Sequence, residues 1–319
     1  MLDLKGKKIL FIGTGFFDYE DEIKKKLEKY GAKVSYFNTC YYDYVARIYL
    51  KLGFKKKALF HLQKNRIRML LSITKDNDIV FVIKGENLTQ IDFDLLHQLN
   101  PQANYILYLW DSLARIDNKE LLLSNFNKIW SFDRIDCLNN RKLNFRPLFY
   151  RYIPKNEHKI YLLSFIGSMH SDRLDIVRSL RDKMKFYNET YYFKIYMRKF
   201  YFLISRYLTH KIKKTDMEFI ILKNISYSEF QRITAKSIAV LDISHPLQSG
   251  LTMRAIETLA AGCHLLTTNS DIINYPQIPE TGYTIFSRDN PVLPNIKKME
   301  NSMISEYFSL DHFINELFA

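Results

Sequence analysis

A strand–loop–helix–strand pattern in residues 237–269 constrains the fold of this chain more than any other feature. An apolar run from Ile238 to Ile243 predicts a buried strand, and His264 to Thr268 predicts a second one. Between them, a turn-rich loop leads into a predicted helix from Leu251 to Ala261, which Gly262 ends. Because strands joined by a crossover helix run parallel, we expect the loop at the carboxyl end of a sheet, where α/β folds bind ligands.

The start of this predicted helix has the chemistry of an anion site. Ser249 or Thr252 can cap the helix, and Gly250 lets the backbone approach a bulky group closely. The free N–H groups of the first turn and the guanidinium of Arg254 suit a phosphate, and Glu257 can accept hydrogen bonds from vicinal hydroxyls such as those of a ribose. The same residues also fit a capped helix with a solvated Arg–Glu pair. The functional interpretation therefore depends on finding the loop, the arginine, the glutamate and the following strand together in a chain with a second α/β half.

The segment SGLTMRAIETLAAGCHLLTTN, residues 249–269, resembles the donor-binding segment of GT-B glycosyltransferases. The resemblance is to the bacterial branch that includes CgeB-like spore-maturation proteins and enzymes of capsular or lipopolysaccharide biosynthesis. Many retaining members carry two glutamates around this turn. Glu257 matches the second, which in the family holds the ribose, whereas Ser249 stands where the first would be. The resemblance implies donor contacts from Gln248, Ser249, Gly250, Leu251, Thr252, Arg254 and Glu257, the last also counted as catalytic.

The same resemblance implies an α/β chain with two Rossmann-like domains that face each other across a cleft. A length of 319 residues suits two domains of ordinary size. The polar stretch from Arg151 to His158, which contains one proline, marks the predicted boundary. Residues 1–152 are therefore expected to form an acceptor-side domain and residues 153–319 a nucleotide-sugar-binding domain. In GT-B folds the last helix often crosses back to the first domain.

A second group of candidate donor residues follows the first apolar strand of the predicted second domain. Gly167 and Ser168 can offer backbone and hydroxyl donors to a diphosphate, and Arg173 adds a cation. An ordinary capped turn between a strand and a helix would contain the same residues. In the family, a later loop lies beside the nucleobase, and the matching positions here are Ile225 and Tyr227.

The amino-terminal strand KKILFI leads into a Gly13-Thr14-Gly15 turn. The third glycine of a dinucleotide fingerprint would fall at Asp18, so the pattern favours a compact turn over a dinucleotide site. In GT-B enzymes the equivalent loop faces the acceptor. Gly15 and Phe16 are therefore the candidate acceptor-side residues.

Asp111 is the candidate general base of the first domain. It ends a predicted strand in the sequence YLWDS, and a carboxylate at a strand end beside an aromatic ring can have a raised pKa. The alternative is a helix cap for residues 112–115. The Asp-x-Asp pair of Asp92 and Asp94 lies in a predicted helix, so it is interpreted as surface charge and no metal site is predicted.

The net charge of +13 comes from 47 Lys and Arg against 34 Asp and Glu, and it is unevenly spread. Residues 44–75 contain nine cations and residues 191–214 contain seven, and neither range has an acid. Such basic, aromatic-rich helices can rest on an anionic membrane surface, or their lysines can simply be solvated. No nucleic-acid recognition motif accompanies the charge, so nucleic acid is not an expected partner.

Three cysteines, Cys40, Cys137 and Cys263, show no paired spacing, and no apolar run approaches the ~20 residues needed to span a bilayer. No apolar signal region follows Met1. These features predict a cytoplasmic protein, soluble or peripheral at the inner face of the plasma membrane.

The resemblance to GT-B enzymes, together with the anion site predicted at the start of the helix, implies a metal-independent, cofactor-free glycosyltransferase. Its donor would be a nucleotide sugar, UDP-linked in most such enzymes, and its acceptor a cell-surface glycan or a lipid-linked molecule. Two alternatives stay open. One is a membrane-associated scaffold with a degenerate site, which the missing first glutamate favours. The other is a dinucleotide-dependent oxidoreductase, which would need a complete glycine fingerprint.

Overall fold

The computed structural model describes residues 2–15, 18–40, 44–72, 75–151, 157–291 and 304–319. The chain folds into two compact units. The first unit contains Met1–Pro147 together with Asp311–Ala319, and the second contains Leu148–Leu310. Each unit is built on its own sheet of six parallel strands, so the predicted α/β class is confirmed.

The first unit arranges its strands in the order β2-β1-β3-β4-β5-β6. The five residues of β3 are all buried, as expected for a parallel strand that is covered on both faces. The strands are β1 (Lys8–Gly13), β2 (Lys33–Asn38), β3 (Ile79–Ile83), β4 (Asn104–Leu109), β5 (Lys128–Ser131) and β6 (Leu143–Phe145). The helices are α1 (Tyr19–Lys29), α2 (Tyr44–Lys51), α3 (Lys55–Ser72), α4 (Gln90–Leu99), α5 (Lys119–Ser124) and α6 (Arg134–Asn139), with a 3-10 helix at Leu113–Arg115.

The second unit arranges its strands in the order β12-β11-β10-β7-β8-β9. These are β7 (Tyr161–Ser168), β8 (Tyr191–Tyr196), β9 (Ile220–Ile221), β10 (Ser237–Asp242), β11 (His264–Thr267) and β12 (Tyr283–Ile285). The helices are α7 (Arg173–Phe186), α8 (Lys199–Leu203), α9 (Tyr227–Ala235) and α10 (Met253–Ala260). A π-helix at Ile204–Leu208 and 3-10 helices at Lys214–Glu218, Ser270–Asn274, Glu280–Gly282 and Glu306–Phe308 complete it.

Two predicted helices are shorter in the structure than the sequence pattern indicates. The basic, aromatic sequence from Met197 to Lys214 predicts one helix. The structure has α8 and the π-helix there instead, because His210 has a φ of 51° and cannot continue a right-handed helix. The sequence also predicts a helix from Asp133 to Leu143, but α6 ends at Asn139. There the Asn140 side chain accepts a hydrogen bond from the backbone N–H of Lys142 at 3.0 Å, which forms a turn that leads into β6.

The carboxyl-terminal helix α11 (Leu310–Phe318) completes the core of the first unit from Asp311 onward. Phe313 is fully buried, and its ring lies edge-on to that of Tyr108 with centroids 4.8 Å apart. Phe318 contacts Phe81 of β3 in the same way at 5.1 Å. The buried guanidinium of Arg146 donates to Glu316 at 2.9 Å. The helix is therefore held by apolar packing and by an ion pair.

Replacement of Phe313 by alanine tests this packing. The Phe313→Ala change removes a fully buried ring and leaves a cavity, so it is expected to lower the free energy of unfolding by about 3–5 kcal/mol in urea denaturation. Phe60→Ala, at a ring of the same unit that is 71 % exposed, is the matched control and should cost under about 0.5 kcal/mol. Equal losses in the two variants would contradict the placement of α11 in this core.

Candidate functional site

The second sheet has a topological switch point between β7 and β10. These strands are neighbours, yet the chain continues from β7 to β8 and β9 on one side and from β10 to β11 and β12 on the other. Open α/β sheets bind ligands at the carboxyl ends of the strands that flank such a point. Ser168 and Asp242 are the last residues of the two strands. The predicted residues Gly167, Arg173, Thr252 and Arg254 all lie around these two ends.

Asp242 holds the start of helix α10 in place. Its carboxylate is fully buried, and Oδ1 accepts hydrogen bonds from the Thr252 hydroxyl at 2.9 Å and from Arg254 Nη1 at 3.0 Å. The Thr267 hydroxyl donates to Oδ2 at 3.4 Å. Thr252, rather than Ser249, caps the helix, because its Oγ1 accepts from the backbone N–H of Ala255 at 3.1 Å. One buried carboxylate therefore positions both the helix cap and the predicted phosphate-binding arginine.

Arg254 lies against the end of β7. Its Nη2 donates to the backbone carbonyl of Ile166 at 2.8 Å, and its guanidinium carbon is 5.2 Å from the centroid of the Phe165 ring. The side chain is 14 % exposed. Protein groups of the second unit therefore fix the position of this cation at the strand ends, whereas the sequence pattern left open a solvated Arg–Glu pair.

Arg173 is a second cation at the same place. The side chain donates from Nη1 to the Ser168 carbonyl at 2.9 Å and from Nη2 to the Ile243 carbonyl at 2.7 Å. Burial, together with the charge of Arg254, lowers the pKa of Arg173 to about 9. A lowered pKa means that the surroundings disfavour the charged form of Arg173, so a negatively charged group nearby would stabilise its guanidinium.

Arg288 is a third cation, which the sequence analysis missed because it lies in the irregular segment after β12. It donates from Nη1 to both oxygens of Asp172 at 2.8 and 2.9 Å, and from Nη2 to the Ser244 carbonyl at 2.5 Å. Three arginines and two carboxylates, Asp172 and Asp242, thus surround the strand ends. The count of three positive and two negative charges leaves one positive charge in excess, which favours an anionic ligand.

The loop before α10 is tied down by side-chain amides. Asn269 Nδ2 donates to the carbonyls of Ser249 at 2.8 Å and of Gly250 at 3.3 Å, and Gln248 Nε2 donates to the Gly250 carbonyl at 3.0 Å. Leu251, at the end of the loop, is buried at 1 % exposure. The predicted residues Gln248, Ser249 and Gly250 therefore take part in the hydrogen bonds that fix the loop. Asn269, which was not predicted as a site residue, links the segment that follows β11 to this loop.

Glu257 is fully buried beneath two side chains of the same unit. The Tyr227 hydroxyl donates to its Oε1, and Arg151 Nε lies 3.9 Å from the same oxygen. The Arg151 guanidinium carbon is 3.2 Å from the centroid of the Tyr227 ring. Burial, together with the charge of Glu257, raises the pKa of Tyr227, so its hydroxyl keeps its proton at neutral pH.

This arrangement places Tyr227 against the predicted ribose-binding carboxylate. The sequence analysis expected Tyr227 near a nucleobase, but its hydroxyl binds Glu257. The phenol of Tyr227 thus donates to Glu257 Oε1, the kind of acceptor atom that the sequence analysis predicted for a ribose hydroxyl. Ile225, the other residue expected near a base, is half-buried on the loop before α9. The sequence analysis assigned Arg151 only to the domain boundary. A single arginine in a polar stretch does not indicate that it will lie beside Glu257 and Tyr227.

The glycine turn of the first unit is filled by the protein itself. Glu20 is 3 % exposed, and its carboxylate accepts from the backbone N–H groups of Thr14 and Gly15, each at 2.9 Å. A side chain at Gly13 would meet this carboxylate, because an added Cβ would lie 2.0 Å from Glu20 Oε2. The amides that a dinucleotide phosphate would need are therefore occupied, which speaks against the oxidoreductase alternative. Gly15 is exposed, whereas Phe16 lies outside the described residues.

Asp111 lies in an ion-pair network at the carboxyl ends of β3 and β4. Lys84 Nζ is 2.5 Å from one carboxylate oxygen and Arg115 Nη1 is 2.6 Å from the other. Glu86 approaches the same Lys84 at 3.7 Å and is 35 % exposed. Desolvation, with a contribution from the charge of Asp111, raises the pKa of Glu86. Glu86 is thus a second candidate base, which the sequence did not single out because it follows the strand in an ordinary Lys-Gly-Glu-Asn loop.

Asp92 is not surface charge, and that prediction was wrong. It is fully buried, accepts from the Thr89 backbone N–H at 2.8 Å in a capping box, and pairs with Arg66 Nε at 2.9 Å. The first turn of a helix commonly takes an acid for this purpose. Asp94 is exposed, as predicted. Within the described ranges, no group of three or more His, Cys, Asp or Glu side chains could hold a metal ion.

No protein-family model and no curated protein sequence matches the chain. Solved structures do match it over nearly its whole length. UDP-GlcNAc 2-epimerase from Methanocaldococcus jannaschii, in complex with UDP-GlcNAc and UDP, has a TM-score of 0.56 at 13 % identity, with 98 % of this chain and 99 % of that chain covered. The structure of OtsA without ligand has a TM-score of 0.61 at 11 % identity, with the same coverage.

UDP-GlcNAc 2-epimerase from Neisseria meningitidis, bound to UDP-GlcNAc, is similar with a TM-score of 0.53 at 12 % identity, and 98 % of each chain is covered. At such identities the likeness shows the fold and leaves the chemistry to be argued from the site. With two parallel six-stranded sheets in one chain of matching length, the protein has the two-domain α/β architecture of the GT-B fold.

The role of Asp242 can be tested by stability. Asp242→Asn removes the charge that Arg254 and Thr252 bind, so a buried guanidinium loses its ion pair and the free energy of unfolding should fall by about 3 kcal/mol. Chemical denaturation measures the loss. Asp289→Asn, at an exposed position of the same unit, is the control and should change stability by under about 0.5 kcal/mol. An Asp242→Asn variant with the same free energy of unfolding as the wild type would show that this carboxylate does not organise the site.

Proposed function

We propose that this protein is a GT-B glycosyltransferase that binds a nucleotide sugar, UDP-linked, at the carboxyl ends of β7 and β10. The observation that carries the proposal is the convergence of Arg173, Arg254 and Arg288 at the switch point of the second sheet, beside the capped start of α10. A diphosphate fits the excess positive charge there. The solved structures with this fold include enzymes bound to UDP-GlcNAc, which supports a nucleotide sugar as the ligand.

The chemistry of the transfer follows from these groups. When the sugar leaves, negative charge develops on the nucleotide diphosphate, and fixed guanidinium groups with the amide end of α10 stabilise it without reorganisation. Because the protein supplies this positive field, we propose a reaction that requires no metal ion. Asp111 or Glu86 of the first unit would accept the proton of the acceptor hydroxyl.

Glu257 would hold the ribose after an exchange of partners. In the structure its Oε1 accepts from the Tyr227 hydroxyl. A ribose hydroxyl is the same kind of donor, so nucleotide binding would displace Tyr227 while Arg151 continues to balance the buried charge. The ring of Tyr227, already stacked under Arg151, would then be available to the base.

Nucleotide binding tests the proposal directly. UDP should raise the melting temperature of the full-length protein, since a ligand at 100 times its Kd adds about 2.7 kcal/mol of stability. Glu257→Gln should weaken UDP binding about tenfold or more, because the amide replaces a charged acceptor of ribose hydroxyls. Glu229→Gln is the matched control, on the surface of α9, and should bind like the wild type.

Three other outcomes would each contradict the proposal. Stabilisation by NAD but not by UDP, GDP or CMP would favour the oxidoreductase alternative. Stabilisation by none of these nucleotides would favour a scaffold with a degenerate site. Equal UDP affinity in Glu257→Gln and the wild type would remove Glu257 from the site.

Epimerisation of the nucleotide sugar is a second candidate, which the match to two UDP-GlcNAc 2-epimerases favours. Both reactions begin at the same donor, but an epimerase needs no acceptor. Incubation with UDP-GlcNAc alone separates them: an epimerase converts the intact nucleotide sugar to its C2 epimer, whereas a glycosyltransferase leaves it unchanged until an acceptor is added. Release of UDP only in the presence of an envelope extract supports transfer.

The acceptor is proposed to be a cell-surface glycan or a lipid-linked molecule at the inner face of the plasma membrane. Residues 44–72 expose large apolar side chains beside their cations, among them Tyr44 at 78 %, Leu52 at 63 % and Phe60 at 71 %. Residues 198–214 combine cations with Phe200 and Leu208, which are 76 % and 74 % exposed. None of the described helices is long and apolar enough to cross a membrane. Exposed aromatic and basic side chains together suit the surface of an anionic bilayer.

Vesicle binding tests this location. Reversal of Lys55, Lys56 and Lys57 to glutamate should release the protein from vesicles that contain anionic lipid. Near such a surface each lysine contributes about 1 kcal/mol, so loss of three cations should weaken binding about 100-fold or more in a sedimentation assay. The control reverses three exposed lysines elsewhere in the first unit, Lys25, Lys29 and Lys33. Equal weakening in both triple variants would indicate a general charge effect and no docking surface.

A further inference from the structure

A cavity of about 670 Å³ lies within the first unit, and the proposed donor site does not use it. Its wall is formed by helix α3, by the end of β2 at Phe37 and Asn38, and by the loop after β3 at Glu86. We call it the α3 pocket. The volume lies in the range of pockets that hold small molecules, about 300–1,000 Å³. The pocket also lies at the carboxyl edge of the first sheet, beside its switch point between β1 and β3.

The lining of the α3 pocket is apolar on its helical side. Leu59, Phe60 and Met69 line it, yet they are 54 %, 71 % and 43 % exposed. The helix is anchored elsewhere, since Ala58 and Leu70 are buried at 0 % and 1 % exposure. Apolar side chains thus cover both faces of α3, and only one face serves the core. Exposed apolar surface that is gathered in a concave site marks a binding region.

Cations accompany this apolar wall. Arg66 also lines the pocket, but its Nε is held by the buried Asp92 at 2.9 Å, so it serves to fix α3 against α4. Arg68 lines the pocket, is exposed, and has no acidic partner in the part of the chain that the structure describes. Lys64 precedes them on the same helix and likewise pairs with no described acid. An anionic group can therefore bind at the rim of the pocket.

We propose that the α3 pocket binds the apolar chain of an anionic amphiphile, with the anionic group at Arg68. On the proposed function, that amphiphile is the lipid-linked acceptor, its chain linked to the sugar through phosphate. A phosphate matches the fork of donors of an arginine, and an alkyl chain matches Leu59, Phe60 and Met69. Glu86, one of the two candidate bases, lines the pocket, so a bound acceptor would lie beside it. Lys84 lies 3.7 Å from Glu86 and 2.5 Å from Asp111, and thereby links the two candidate bases.

The probe for this site is decyl phosphate, used below its micelle concentration and titrated into the full-length protein by calorimetry. Decyltrimethylammonium has the same chain with the opposite charge, and inorganic phosphate has the charge without the chain. Decyl phosphate should bind with one site per chain, and each of the other two should bind at least about tenfold more weakly. Binding of both amphiphiles alike, or of none of the three, would overturn the proposal.

Matched variants locate the site. Leu59→Asp should weaken decyl phosphate binding at least about tenfold, whereas Leu71→Asp should not change it, because Leu71 is equally exposed on α3 but does not line the pocket. Arg68→Glu should abolish the preference for decyl phosphate over decyltrimethylammonium, and Lys56→Glu should keep it. Equal effects of Leu59→Asp and Leu71→Asp would show that amphiphiles adsorb to the helix surface, and would refute a pocket.

The test separates this inference from the proposed function. UDP stabilisation with no decyl phosphate binding would leave the glycosyltransferase proposal standing and reject the α3 pocket as an amphiphile site. Decyl phosphate binding without any nucleotide binding would keep the pocket and reject its assignment to an acceptor. A short single-stranded RNA that binds more tightly than decyl phosphate, and loses affinity in Arg68→Glu, would instead assign the cavity to nucleic acid.

Discussion

The buried ion pair between Asp242 and Arg254 is the interaction on which the second unit's site depends. A carboxylate without solvent exposure must be paired, and here its partners are an arginine and a threonine from the first turn of the following helix. The pair fixes where α10 begins and which way its amide end points. It also holds Arg254 against β7, so that the two strands at the switch point share one cation.

A second buried carboxylate, Glu257, lies on α10 itself, one turn after Arg254. Its surroundings are different, because an arginine from the start of the unit and a tyrosine from α9 enclose it. The two acids divide the proposed work: Asp242 positions cations for a diphosphate, and Glu257 offers a charged acceptor to hydroxyls. The contacts that hold both acids come from within the second unit. The proposed site would therefore be largely formed before a nucleotide binds, apart from the proposed exchange at Tyr227.

Much of this fold could be predicted from the residues. Apolar runs such as residues 7–12 and 238–243 predicted β1 and β10, and the pattern from 237 to 269 predicted the strand–helix–strand order around α10. Strand β6 was not predicted, because the predicted helix from Asp133 to Leu143 extended into it. Partners across the sequence could not be predicted, because periodicity shows that a face is buried but not what covers it. The return of α11 to the first unit is an example: Phe313, Ile314 and Leu317 indicate a buried face, but only the resemblance to GT-B enzymes suggested which unit that face would cover. Arg151, Arg288 and Asn269 were missed for the same reason, since each acts through contacts with residues distant in sequence.

The central claim is that a nucleotide diphosphate binds at the carboxyl ends of β7 and β10. Hydrogen exchange of the full-length protein with and without UDP tests it most directly. The account predicts that UDP slows exchange of backbone amides in residues 166–173 and 243–254 and leaves residues 13–20 unchanged, because Glu20 already occupies the amides of that first turn. Protection at residues 13–20 with none at 243–254 would contradict it.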